Sequence, residues 1–135
     1  MKTRRFSAAA ATLTAVALCL VPGLAHAKVI PHLSCGMISG PKWTQLTGSL
    51  SGSKYQVTAI GSFSCSTAKS WVAKLSKDVV KNRKPSGVNN NVLKNGPSGY
   101  ACGALSSRQG KAFAGSCLRG PAVNPTSGFA WGGYP

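Results

Sequence analysis

Ser64–Lys84 reads SCSTAKSWVAKLSKDVVKNRK, and its spacing decides the fold expected for this chain. At 100° per residue, Ala68, Trp71, Val72, Leu75 and Val79 gather on one face. Lys74, Lys77, Lys81 and Lys84 fall on a different one. One helix is therefore expected over Ser64–Lys84, giving an apolar face to a core and a cationic face to water. Ser64 or Ser66 can cap it by accepting a hydrogen bond from an early backbone N–H. Pro85 and Gly87 are expected to stop it, after a last turn in which Lys81, Arg83 and Lys84 complement the helix dipole.

Outward from the helix, the flanking segments read as extended structure. In Lys54–Phe63, Tyr55, Val57 and Ala59 alternate with Lys54, Gln56 and Thr58, which is the period of a strand. Gly99–Ala104 and Lys111–Leu118 read as two further strands joined by a hairpin loop over Leu105–Gly110. Phe129 and Trp131, two residues apart in FAWGGYP, share one side of a terminal extended segment and are expected to close the core, with Tyr134 as a further candidate. Lys28–Ser53 is punctuated by Pro31, Gly36, Gly40, Pro41, Gly48 and Gly52, and reads as irregular or briefly extended. Ser86–Ser98 reads as a loop that Val92 and Leu93 anchor. The expected fold class is α+β, with one amphipathic helix packed on a small antiparallel sheet built mostly after it.

The N-terminus has the pattern of an export signal. Lys2, Arg4 and Arg5 precede an uncharged apolar run, Ala8–Val21, which Pro22 and Gly23 break. Ala25-His26-Ala27 is a small-x-small cleavage signal. The run falls short of the roughly 20 residues that a membrane-spanning helix needs. Arg4-Arg5 invites a twin-arginine reading, but the residues that follow favour the general secretory route. Residues 1–27 are read as a removed signal peptide, and residues 28–135 as a single secreted domain that acts as a monomer. Export places the four remaining cysteines, Cys35, Cys65, Cys102 and Cys117, in an oxidising compartment, where an even count favours two disulfides. Four cysteines allow three connectivities. The preferred one joins Cys102 to Cys117 across the expected hairpin and Cys35 to Cys65 at the start of the helix. No C-x-x-C occurs and only His32 follows the cleavage site, so no metal site is expected.

Charge limits function further. Residues 28–135 keep 13 of the 16 Lys and Arg of the whole chain and its single acid, Asp78, for a formal charge of +12. Paired-carboxylate chemistry is impossible within one such chain. A Ser-His-Asp triad would need His32 and Asp78 to meet at one serine, and nothing in the spacing points to it. No phosphate-binding glycine loop occurs, and calcium or magnesium would want more carboxylates. The chain is read as non-catalytic and without a cofactor. Lys69, Lys74, Lys77, Lys81, Arg83 and Lys84 are the candidate anion-binding residues, with an anionic wall polymer or an acidic protein as partner. Nucleic acid fits less well, because the chain is exported and lacks a basic-aromatic stacking motif.

Two other classes stay open. A membrane-active cationic protein would have to expose Trp71 and Leu75. A protease inhibitor would present the loop 105–111, with Arg108 or Lys111 entering a trypsin-like pocket. In overall plan the chain is similar to the secreted subtilisin-inhibitor family, also small, two-disulfide and ending in an aromatic-rich segment. Its cysteine spacing and loop sequence differ from that family, so no site residue carries over. The motifs C-x5-W-x3-L (Cys65, Trp71, Leu75), GP-x-GY-x-C (Gly96, Pro97, Gly99, Tyr100, Cys102), G-x-C (Gly115, Cys117) and F-x-W (Phe129, Trp131) also resemble small secreted proteins of high-GC Gram-positive bacteria. That resemblance implies export and a shared small fold, and no activity.

Overall fold

A computed structural model of the chain describes residues 29–80 and 92–135. Five strands form one antiparallel sheet: β1 (His32–Thr44), β2 (Ser51–Gly61), β3 (Ala101–Ser106), β4 (Ala112–Arg119) and β5 (Ser127–Tyr134). Their order is β1-β2-β5-β4-β3, so the C-terminal strand lies at the centre. One helix, α1 (Cys65–Leu75), follows β2 and packs over β1, β2 and β5. The sheet is larger than expected, and its two longest strands precede the helix.

β1 is the main departure from the sequence reading. Lys28–Ser53 reads in sequence as irregular or briefly extended, yet 13 residues of it form a long strand paired with β2. Its glycines and proline fall where the ladder is interrupted. Pairing shifts between Ser34 and Gly36, where Gly36 takes a φ of 77° that a side chain would resist. It shifts again between Ser39 and Trp43, and Pro41 sits in that gap on an edge strand, where its missing N–H disrupts no ladder bond. The carbonyl of Pro41 accepts the Tyr55 hydroxyl at 2.7 Å. Gly40 is needed for the same contact, since a Cβ there would lie 2.7 Å from the Tyr55 ring.

The helix begins as read and ends early. Ser64 caps it, with its Oγ accepting the Thr67 N–H at 3.2 Å. Ala68, Val72 and Leu75 are completely buried, and Trp71 is half-buried against the same core. The last helical residue is Leu75, not Lys84. Beyond it the backbone finds other partners: Val80 N–H donates to Gly110 O at 2.7 Å, Ala112 N–H donates to Asp78 O, and Val79 pairs with Lys111. Two adjacent β-branched residues suit that extended pairing better than another helical turn. Val79 consequently leaves the apolar face and is 63 % exposed.

The helix-facing side of the sheet holds the core. Tyr55, Val57 and Ala59 of β2 lie opposite Gly133, Trp131 and Phe129 of β5, and all but the glycine are buried. Phe63 packs on Phe129 with ring centroids 4.9 Å apart, and meets Tyr100 edge-on at 5.5 Å. Trp131 donates its indole N–H to Ala112 O, so its polar atom is satisfied inside the core. Phe129 and Trp131 are therefore core residues, whereas Tyr134 is about half exposed. Cys102 and Cys117 stand directly opposite each other on β3 and β4 and are bonded. Cys35, the extra residue at the first β1 bulge, is bonded to Cys65, the first residue of the helix. In a chain-entropy account, closing a loop of about 15 residues stabilises the fold by about 3 kcal/mol.

The other side of the sheet carries no helix. Register places Ser34, Thr58, Ala130, Ser116 and Gly103 in one row across the five strands, with Met37, Gln56, Gly132, Ala114 and Leu105 in the next. The sheet thus has an aromatic face under the helix, and opposite it these two rows are uncharged and mostly of small residues. Among the described residues no helix is long and apolar enough to cross a membrane.

Candidate anion-binding surface

The early end of the helix rearranges the expected cationic row. Lys69 is half-buried on α1, and Lys74 occupies its last turn, where a cation complements the exposed carbonyls. The Lys74 ammonium lies 4.7 Å from the centre of the Trp71 ring. The aliphatic stem can therefore cover the half-buried indole while the charge stays at the surface. Lys77 is exposed and belongs to the turn after the helix, not to a helical face. Lys81, Arg83 and Lys84 lie outside the described residues.

Tertiary structure adds two cations to this end. The β3–β4 turn brings Lys111 against the post-helical segment, where its Nζ donates to Lys77 O at 2.9 Å. Asn95, the neighbour of Lys94, directs its side-chain amide to Asp78 Oδ2 at 3.4 Å. Lys77 and Asp78 are adjacent in this segment, Lys111 is hydrogen-bonded to it, and Lys74 and Lys94 lie on the stretches that flank it. Asp78 offsets part of their repulsion, and its main-chain carbonyl also accepts the Ala112 N–H. The result is a cationic edge built from the helix end, the segment before β3 and the start of β4. An elongated polyanion can meet several ammonium groups there at once. Sequence reading placed Lys111 in a different role and did not use Lys94. The Lys111 contact depends on the pairing of residues 78–80 with 110–112, which no local pattern announces.

The loop considered for protease inhibition is tied down. Leu105 and Ser106 belong to β3, and Ser107 is completely buried. Arg108 N–H donates to Thr44 O at 2.9 Å, and its guanidinium reaches Gly48 O at 3.3 Å. Gln109 exchanges two hydrogen bonds of 3.1 Å with Thr44. The turn is strapped to the far end of β1, and Trp43 stacks on Phe113 beneath it with centroids 5.5 Å apart. The turn is thus held rigidly, with Arg108 and Gln109 exposed at its tip.

Little else in the described residues offers reactive chemistry. No cluster of three or more His, Cys, Asp or Glu that could hold a metal occurs among them. Burial pushes the Tyr55 phenol from 10.0 up to about 12. It is fully enclosed and hydrogen-bonded to Pro41, which suits a structural role. No protein-family model, no curated protein and no solved structure matches the chain.

Proposed function

We propose that this chain is an exported, non-catalytic basic protein that holds anionic polymers of the cell surface, or an acidic partner, against the cationic edge formed by Lys74, Lys77, Lys94 and Lys111. The observation that carries the reading is the Lys111 Nζ contact with Lys77 O, which brings a hairpin cation to the segment just past the helix. The +12 charge of residues 28–135 and the single acidic side chain support it. Two disulfides suit an oxidising compartment outside the cell. The burial of Val72 and Leu75 assigns the apolar helix face to folding, which leaves the lysines available for function. Binding to poly(glycerol phosphate) across a salt series tests this: association should weaken steeply as salt rises, because exposed charges are screened. Salt-insensitive retention would reject the electrostatic reading.

A further inference from the structure

We infer that the cleft between the β4–β5 loop and the segment entering β1 is a binding site for a small uncharged amphiphile, with an apolar body and a single hydrogen-bonding head. The loop at residues 120–126 crosses one end of the uncovered sheet face, and it is a built structure. Gly120 takes a φ of 91°, Asn124 N–H donates to Pro121 O at 3.0 Å, and Thr126 N–H donates to Arg119 O at 2.9 Å. The loop stands opposite Ile30 and Pro31, and Pro31 O is itself held by the Gly61 N–H at 2.9 Å. Two hollows of about 470 and 490 Å³ open between these walls and share Ile30 and Asn124. Either volume falls within the roughly 300–1,000 Å³ of small-molecule sites.

The lining sets the class of ligand. Ile60, Leu118 and Ala130 form an apolar floor, and Val123, at 96 % exposure, leaves an apolar side chain on the rim. Polar groups are few: the His32 ring, the Ser116 hydroxyl and the Asn124 amide in the hollow of about 470 Å³, with Ser62 and Thr126 in the other. No lysine, arginine, aspartate or glutamate lines either hollow. In a chain with 16 Lys and Arg, that gap in the charge pattern matters. An anion gains more at the cationic edge, and a cation is repelled by the whole molecule, so the cleft favours an uncharged body. The neutral amide, hydroxyl and imidazole can orient one polar head without requiring charge.

The test uses Nile red, an uncharged apolar dye, titrated into the folded, disulfide-bonded protein. Saturable binding of one dye per chain is expected, with emission shifted to the blue and no loss of affinity in molar sodium chloride. Ala130→Trp fills the floor and should abolish the signal. Val123→Asp, on a side chain that packs on nothing, leaves folding intact and should weaken binding by about tenfold or more, because its carboxylate would lose water against an apolar body. Lys77→Gln should leave dye binding unchanged, which separates this site from the cationic edge. Absence of saturable binding to the unmodified protein, or full affinity in Val123→Asp, would overturn the proposal.

Discussion

Phe129 and Ala130 are adjacent in β5 and live in different environments. Phe129 points under the helix and is completely enclosed, touching Phe63 and stacking near Trp131. Ala130 points to the uncovered side, between Thr58 and Ser116, and remains partly open. The same alternation runs along β2, where Tyr55, Val57 and Ala59 face the core while Gln56 and Thr58 face out. Stability is therefore concentrated on one side of a single sheet, and the opposite side is free to vary. Most charged groups of the described residues lie at strand ends and turns, with Lys54 as an exception on the outer side of β2.

The contrast can be broken most forcefully at Phe129. Phe129→Ala should cost about 3–5 kcal/mol by denaturant unfolding, since the cavity it leaves is walled by other aromatic rings and cannot collapse well. A smaller loss would mean that the covered face is less tightly packed than its burial implies. A second test follows from Tyr55. Its phenol titrates at about 12 when folded and near 10 in an unfolded chain, so it ionises more easily when unfolded. A raised pKa of this kind contributes stability that is complete below pH 10 and is lost as pH climbs through about 12. Thermal melts should fall across that window, and Tyr55→Phe should flatten the decline while losing the hydrogen bond to Pro41. An equally steep decline in the variant would assign alkaline sensitivity to other groups.

Smaller effects sharpen the comparison. Ser64→Ala removes the side chain that accepts the Thr67 N–H and should cost about 1 kcal/mol, read as a lower midpoint at constant denaturant slope. Ala130→Ser, one residue from the most damaging site, should change stability by no more than about 0.5 kcal/mol. A loss comparable to that of Phe129→Ala would show that the outer face is covered in solution.

Much of this arrangement is legible in the sequence, for local reasons. The helix start is written in Ser64 and in the period of Ala68, Val72 and Leu75. Strict alternation in Tyr55–Ala59 and in Phe129–Trp131 marks the inward faces of β2 and β5. Other features depend on pairings remote in sequence. β1 reads as irregular because Gly36 and Pro41 punctuate it, and only its partner strand shows that each falls at an interruption of the ladder. The helix pattern continues through Val79, but Gly110 and Lys111 compete for that backbone and win. The site follows the same rule. Lys74 and Lys77 stand out in the helical period, whereas Lys111 reaches Lys77 through a contact 34 residues away in sequence.

The central proposal is that the cations of the cationic edge act together, and three of them can be removed at once. Its most direct test is the affinity of Lys74→Gln/Lys77→Gln/Lys111→Gln for poly(glycerol phosphate), compared with a control of equal charge, Lys42→Gln/Lys54→Gln/Arg119→Gln. Isothermal titration at several salt concentrations reads both affinity and its salt dependence. The first variant should bind about tenfold or more weakly than the unmodified protein, with a shallower dependence on salt, and the control should lose much less. Equal losses in the two variants would contradict the account, because binding would then follow net charge and not the cationic edge.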